Sequence, residues 1–144
     1  MEKKTIEKGP FGPIYSNYKN KPKEAIKHLL KVKKGECPAA LFRNDIGYID
    51  IVWGENDPKT NKGYGLKHIV EKHGKSIKQL GFNIEDFIPI VIQYGEFNIK
   101  KSEKCKKVYE SNTFRFVIAI DDFLTKKWLL TAFDIKIAPK KNRS

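Results

Sequence analysis

Near neutral pH, histidine is the side chain best able both to take and to give a proton, and this 144-residue chain has three: His28, His68 and His73. His28 lies within PKEAIKHLLKVKK, an amphipathic, lysine-rich stretch, and reads as a structural residue. The other two share the segment GYGLKHIVEKH, which leaves a glycine-containing loop and resumes helical spacing. At about 100° per residue, Leu66, Ile69, Val70 and His73 fall on one face, and His68 falls roughly opposite Leu66, beside Lys72. On that wheel the two histidines do not share a site through the helix alone. His73, on the apolar side, reads as a partly buried packing residue. His68, on the polar side of a helix start where unpaired backbone N–H groups gather, is the one placed to meet a phosphate, with a solvated surface histidine as the plainer alternative.

The chemistry such residues suit is metal-free cleavage of RNA. A base takes the proton of the 2′-hydroxyl, an acid protonates the leaving oxygen, and a cation or donor holds the crowded phosphate. Arg115 interrupts the apolar run FRFVIAID, and a guanidinium on a sheet can fix a phosphate at two points, although an exposed strand arginine is the plain reading. Thr131 in KWLLTAFDI alternates to the face opposite Leu130 and Ala132, where its hydroxyl can bond a phosphate oxygen. Lys67, Lys72 and His73 are the candidate substrate contacts around His68. The five-residue spacing of the histidines, with no HExxH arrangement, does not suit a zinc pair. Cys37 and Cys105 belong to no CxxC pair and read as reduced thiols. No metal and no cofactor is expected.

Charge points to the same class of partner. Twenty-nine Lys and Arg against 17 Asp and Glu leave a net charge of +12, which draws polyanions to the surface over about a Debye length. Arginine occurs only at Arg43, Arg115 and Arg143, so nearly all of this charge is lysine, suited to sequence-blind phosphate attraction. An aromatic fraction of 12% excludes a disordered basic tail. No apolar run approaches the ~20 residues that cross a bilayer, and no signal peptide follows the N-terminal MEKKTIEKG, so a cytoplasmic protein without membrane contact is expected.

The elements that must position these residues read as follows. Residues 1–20, with Gly9, Pro10, Gly12 and Pro13, form an extended lead-in; residues 21–138 form the domain; residues 139–144 form a basic tail. A helix starts at Pro22 and stops at Gly35. GYIDIVWG alternates as a strand, ENDPKTNKGYG is a surface loop, and NIEDFIPIVIQYG opens a third helix with Asn83 as N-cap. CKKVYES, FRFVIAID and KWLLTAFDI read as an antiparallel meander. The expected fold is α+β, with N-terminal helices packed on a C-terminal antiparallel sheet of about four strands and the sheet's other face free for RNA.

Taken in order, IDIVWG, the glycine loop, GLKHI, a strand with arginine and the late WLLTAF resemble the phage and polymorphic-toxin branch of the barnase/EndoU/colicin/RelE nuclease superfamily, over roughly Ile14 to Lys136. The resemblance implies a metal-independent endoribonuclease toxin domain with His68, Arg115 and Thr131 as its catalytic residues. It also implies RNA, with transfer RNA foremost, as substrate, an acidic immunity or antitoxin protein as partner, and delivery into a target cell's cytoplasm. A non-catalytic RNA-binding module and a structural protein of the phage particle are the alternatives. The first would lose binding gradually over many lysines, and the second gives no reason for a polar-face histidine after a glycine loop.

Overall fold

A computed structural model describes residues 7–121 and 126–135; the basic tail over 139–144 lies outside them. In chain order the elements are β1 (Lys8–Gly9), β2 (Gly12–Pro13), α1 (Pro22–Val32), β3 (Glu36–Arg43), β4 (Gly47–Val52), β5 (Glu55–Asn56) and β6 (Gly63–Tyr64). There follow α2 (Gly65–His68), a π-helical turn (Ile69–His73), α3 (Gly74–Gln79), α4 (Ile84–Tyr94), β7 (Glu96–Phe97), β8 (Lys106–Glu110), β9 (Phe114–Ile120) and β10 (Lys127–Asp134).

Six strands form the main sheet in the order β3-β4-β10-β9-β8-β7. The meander expected from the last three runs is present as β8-β9-β10, all antiparallel. Two departures enlarge the sheet beyond the expected four strands. The β3-β4 hairpin joins β10 through a parallel pairing registered at Trp128 and Asp50, and the two-residue β7 extends the far edge. The helices are not N-terminal as expected: only α1 precedes the main sheet, and the others lie between its two halves.

One face of the sheet carries the core. Ile49 and Ile51 of β4, Phe116 and Ile118 of β9, and Leu129 and Ala132 of β10 are buried against Ala25, Ile26 and Leu29 of α1 and Phe87, Ile88 and Val91 of α4. The period of about two along the strands and 3.6 along the helices is what closes this layer. Leu66, Ile69 and Ile77 complete it from the α2–α3 arm, which packs along β10. Removing one such side chain, as in Ile118→Ala, should cost about 2–5 kcal/mol. The opposite face is not wholly free: Phe11 of the lead-in lies against Trp128, with ring centroids 5.2 Å apart, and Lys126 bridges Glu36 and Asp50 at 2.6 Å each.

Candidate active site

The site is built where β4 ends. Gly54 and Gly65 both have positive φ (77° and 81°), and their backbones cross so closely that a Cβ on Gly54 would meet the Tyr64 carbonyl oxygen at 2.1 Å. Only glycine allows this approach. The crossing closes the base of the ENDPKTNKGY excursion, and the Lys67 N–H donates to the Trp53 carbonyl at 2.8 Å as α2 departs. Within the excursion, β5 pairs with β6, and the Asp57 N–H donates to Lys62 O. The hairpin is thereby folded back over the start of α2. Asn56, in what reads as an exposed loop, becomes buried beside His68.

The helix wheel misplaces the histidines. His68 is buried, 6% exposed, and its ring meets that of His73 edge to face with centroids 5.6 Å apart. The reason is the π turn over Ile69–His73. In an α-helix, residues five apart point about 140° away from each other, whereas the wider turn bonded from i to i+5 narrows that angle and brings the two side chains toward one side. His73, read as a packing residue, does pack: its ring stacks on Phe133 of β10 at 4.7 Å and 20° from parallel.

A polar chain leads outward from His68. Its Nδ1 lies 2.8 Å from Asn56 Oδ1, and Asn56 Nδ2 donates to Glu71 Oε1 at 3.0 Å. Burial, then the nearby Lys72 charge, holds the His68 imidazole below its ordinary pKa. Burial pushes His73 further, down to about 4, with His68 and Lys72 adding to the shift and Asp134 opposing it. Both rings are therefore neutral at pH 7.

Phe133 is paired across the sheet with Arg115, so the two side chains share a face; the guanidinium carbon stands 5.8 Å from the Phe133 ring centroid. Arg115 Nε is held by Glu110 Oε2 at 2.7 Å. Thr131, paired with Val117, occupies the same face two residues back from Phe133, about 7 Å along the strand. Its Oγ1 is buried without a hydrogen-bond partner among the described residues. His68, His73, Phe133 and Arg115 thus form one run of contacts, with Thr131 beside it. Lys72 is exposed and Lys67 half-buried on the same arm, while His28 sits apart between the rings of Tyr15 and Tyr18. Asn56, Glu71 and Phe133 are the members that the sequence does not reveal. No local signal separates Asn56 from Asn61, because only the folded hairpin buries one of them.

Two touching imidazoles and a strand arginine are thus brought to one place on an α+β domain. The chain belongs to the family described as phage-Barnase-EndoU-ColicinE5/D-RelE like nuclease1, which matches residues 40–138. That span holds every residue of the site just described, and it bears out the superfamily resemblance read from IDIVWG and GLKHI. No curated protein and no solved structure matches the chain. Among the described residues, no helix is long and apolar enough to cross a membrane.

Proposed function

We propose that this nuclease-family domain is a metal-independent endoribonuclease of toxin type. The observation that carries the reading is the edge-to-face pair of His68 and His73, close enough to flank one phosphate and supplied by a π turn, a feature frequent at functional sites. His68 Nε2 takes the proton of the 2′-hydroxyl as that oxygen bonds to phosphorus. The P–O5′ bond breaks, and His73 returns a proton to the leaving 5′-oxygen. The incoming phosphate's negative charge favours the imidazolium that this second step needs. Arg115 and Thr131 hold the phosphate, and Lys67 and Lys72 guide the chain of phosphates toward it. Two imidazoles cover both proton transfers, so no metal-bound hydroxide is required.

The net charge of +12 supports RNA as substrate, with transfer RNA as the class that the family analogy favours, and an acidic immunity or antitoxin protein as neutralising partner in the cytoplasm where the domain acts. The deciding experiment is incubation of the purified chain with transfer RNA in excess EDTA, followed by analysis of the new ends. The expected products carry 2′,3′-cyclic phosphate and 5′-hydroxyl ends and are absent with His68→Gln. Binding without cleavage would establish the RNA-binding module instead. A strict need for a divalent ion would overturn metal independence.

A further inference from the structure

The proposed base has two ring nitrogens, and only one can hold the lone pair that accepts a proton. The surroundings of His68 decide which. Glu71 offers carboxylate oxygens, which accept hydrogen bonds and cannot donate. Its Oε1 lies 3.0 Å from Asn56 Nδ2, and the other polar group facing that nitrogen is also an acceptor, Asn61 Oδ1 at 3.4 Å. The amide is therefore oriented with its NH2 toward Glu71 and its carbonyl oxygen toward His68. That oxygen, 2.8 Å from His68 Nδ1, cannot donate either, so the hydrogen between them belongs to Nδ1. A neutral imidazole has one N–H. The remaining nitrogen, Nε2, holds the lone pair, and it has no hydrogen-bond partner among the described residues.

We infer that Asn56, oriented by Glu71, is a positioning residue that fixes the His68 tautomer and makes Nε2 its basic atom. Asn56 is 6% exposed, so water does not readily replace it, whereas Glu71 lies at an exposed position on the π turn. The device links three segments: the β5 end, the α2 end and the π turn. The same turn that brings His73 to His68 thereby also carries the carboxylate that orients the amide. The consequence for rate rests on the ribonuclease reading; the tautomer itself does not.

The test is long-range 15N–1H correlation of the histidine rings in the full chain without RNA, together with steady-state cleavage. Wild type should show His68 protonated at Nδ1. Glu71→Ala removes the acceptor that orients the amide and should give a mixture of tautomers, with kcat lowered on the order of 10-fold and KM little changed, since geometry rather than binding is lost. Glu71→Gln keeps an acceptor oxygen and should restore both. Asn56→Ala should lose the tautomer bias outright; should that variant fail to fold, the exposed Glu71 pair of substitutions still decides. An Nε2-protonated His68 in wild type, or a folded Glu71→Ala with an unchanged ring signature, overturns the inference. Absence of cleavage by wild type overturns the ribonuclease reading alone, because the spectra are read without substrate.

Discussion

The rings of His68 and His73 stand edge to face, 5.6 Å between centroids and 82° between planes, across a single π turn. Groups that serve one proton-transfer path are not independent, and losing either should stop most of what the other can do. His68→Gln and His73→Gln are each expected to lower the single-turnover cleavage rate by about 10²–10⁴. The double variant should be about as slow as the slower single one. Multiplicative losses would show that the two rings act separately. His68→Ala is the less useful probe, because it leaves the buried Asn56 oxygen unpaired and should itself cost about 1–3 kcal/mol of stability.

The depressed pKa of His73 makes folding pH-dependent in a stated direction. In the unfolded chain the ring titrates near 6.5, and in the fold at about 4. Between these values the unfolded state binds more protons, so this group's contribution is complete above the unfolded pKa and is lost as pH falls toward the folded one. From pH 7.5 to pH 5 the loss should be about 2 kcal/mol, at about 1.4 kcal/mol for each unit below 6.5. Urea unfolding of wild type and His73→Gln at the two pH values isolates it: the difference between the proteins should shrink or reverse at pH 5. Parallel pH dependences would mean that the ring protonates freely in the fold.

Much of the fold is legible because its periodicities are local. The spacing of Ala25, Ile26 and Leu29 after Pro22 specifies α1, and the alternation through Ile49 and Ile51 specifies β4. β3 is obscured by Pro38 and by a bulge between Cys37 and Leu41, where Ala39 takes a positive φ of 57°. β7 exists only through its pairing with β8, and the parallel contact of Trp128 with Asp50 joins residues far apart in sequence. Of the candidate site, the sequence shows the residue types and not their juxtaposition. An α-helical wheel assigns His68 and His73 to different faces because nothing in IVEKH announces an i to i+5 turn. Arg115 and Thr131 share a face through the β9–β10 register, in which Arg115 pairs with Phe133 and Val117 with Thr131.

The glycine crossing should matter more for stability than a positive-φ glycine in open space such as Gly47. Gly47→Ala, at φ 81° with nothing within 4 Å of the added Cβ, should cost only the left-handed penalty of about 1–2 kcal/mol. Gly54→Ala adds a backbone collision at 2.1 Å to a similar penalty, so its loss should clearly exceed that of Gly47→Ala. Because the crossing aligns the hairpin that carries Asn56, cleavage should fall as well in any folded Gly54→Ala protein. Thermal unfolding of the two variants side by side is the check, and equal shifts in Tm would remove the crossing from the account.

Arg115 can be a phosphate holder or a strut, and its ion pair with Glu110 allows the two to be separated. As a strut it ties β9 to β8, with Nε 2.7 Å from Glu110 Oε2, and a half-exposed pair of this kind is worth at most about 1 kcal/mol. As a phosphate holder it contributes a planar fork that lysine lacks. Arg115→Lys keeps the charge and much of the strut, so the strut reading predicts near-normal cleavage, whereas the phosphate reading predicts a kcat loss of about 10². Glu110→Gln removes the competing carboxylate, which also accepts from Asn98 Nδ2 at 2.7 Å. It should leave kcat within a few-fold while strengthening RNA binding, because a guanidinium no longer neutralised by its neighbour attracts phosphate more strongly. Single-turnover rates and RNA affinity for both variants at one fixed salt concentration give the answer. A full rate in Arg115→Lys together with unchanged affinity in Glu110→Gln would leave Arg115 as a strut and move phosphate binding to Lys67, Lys72 and Thr131.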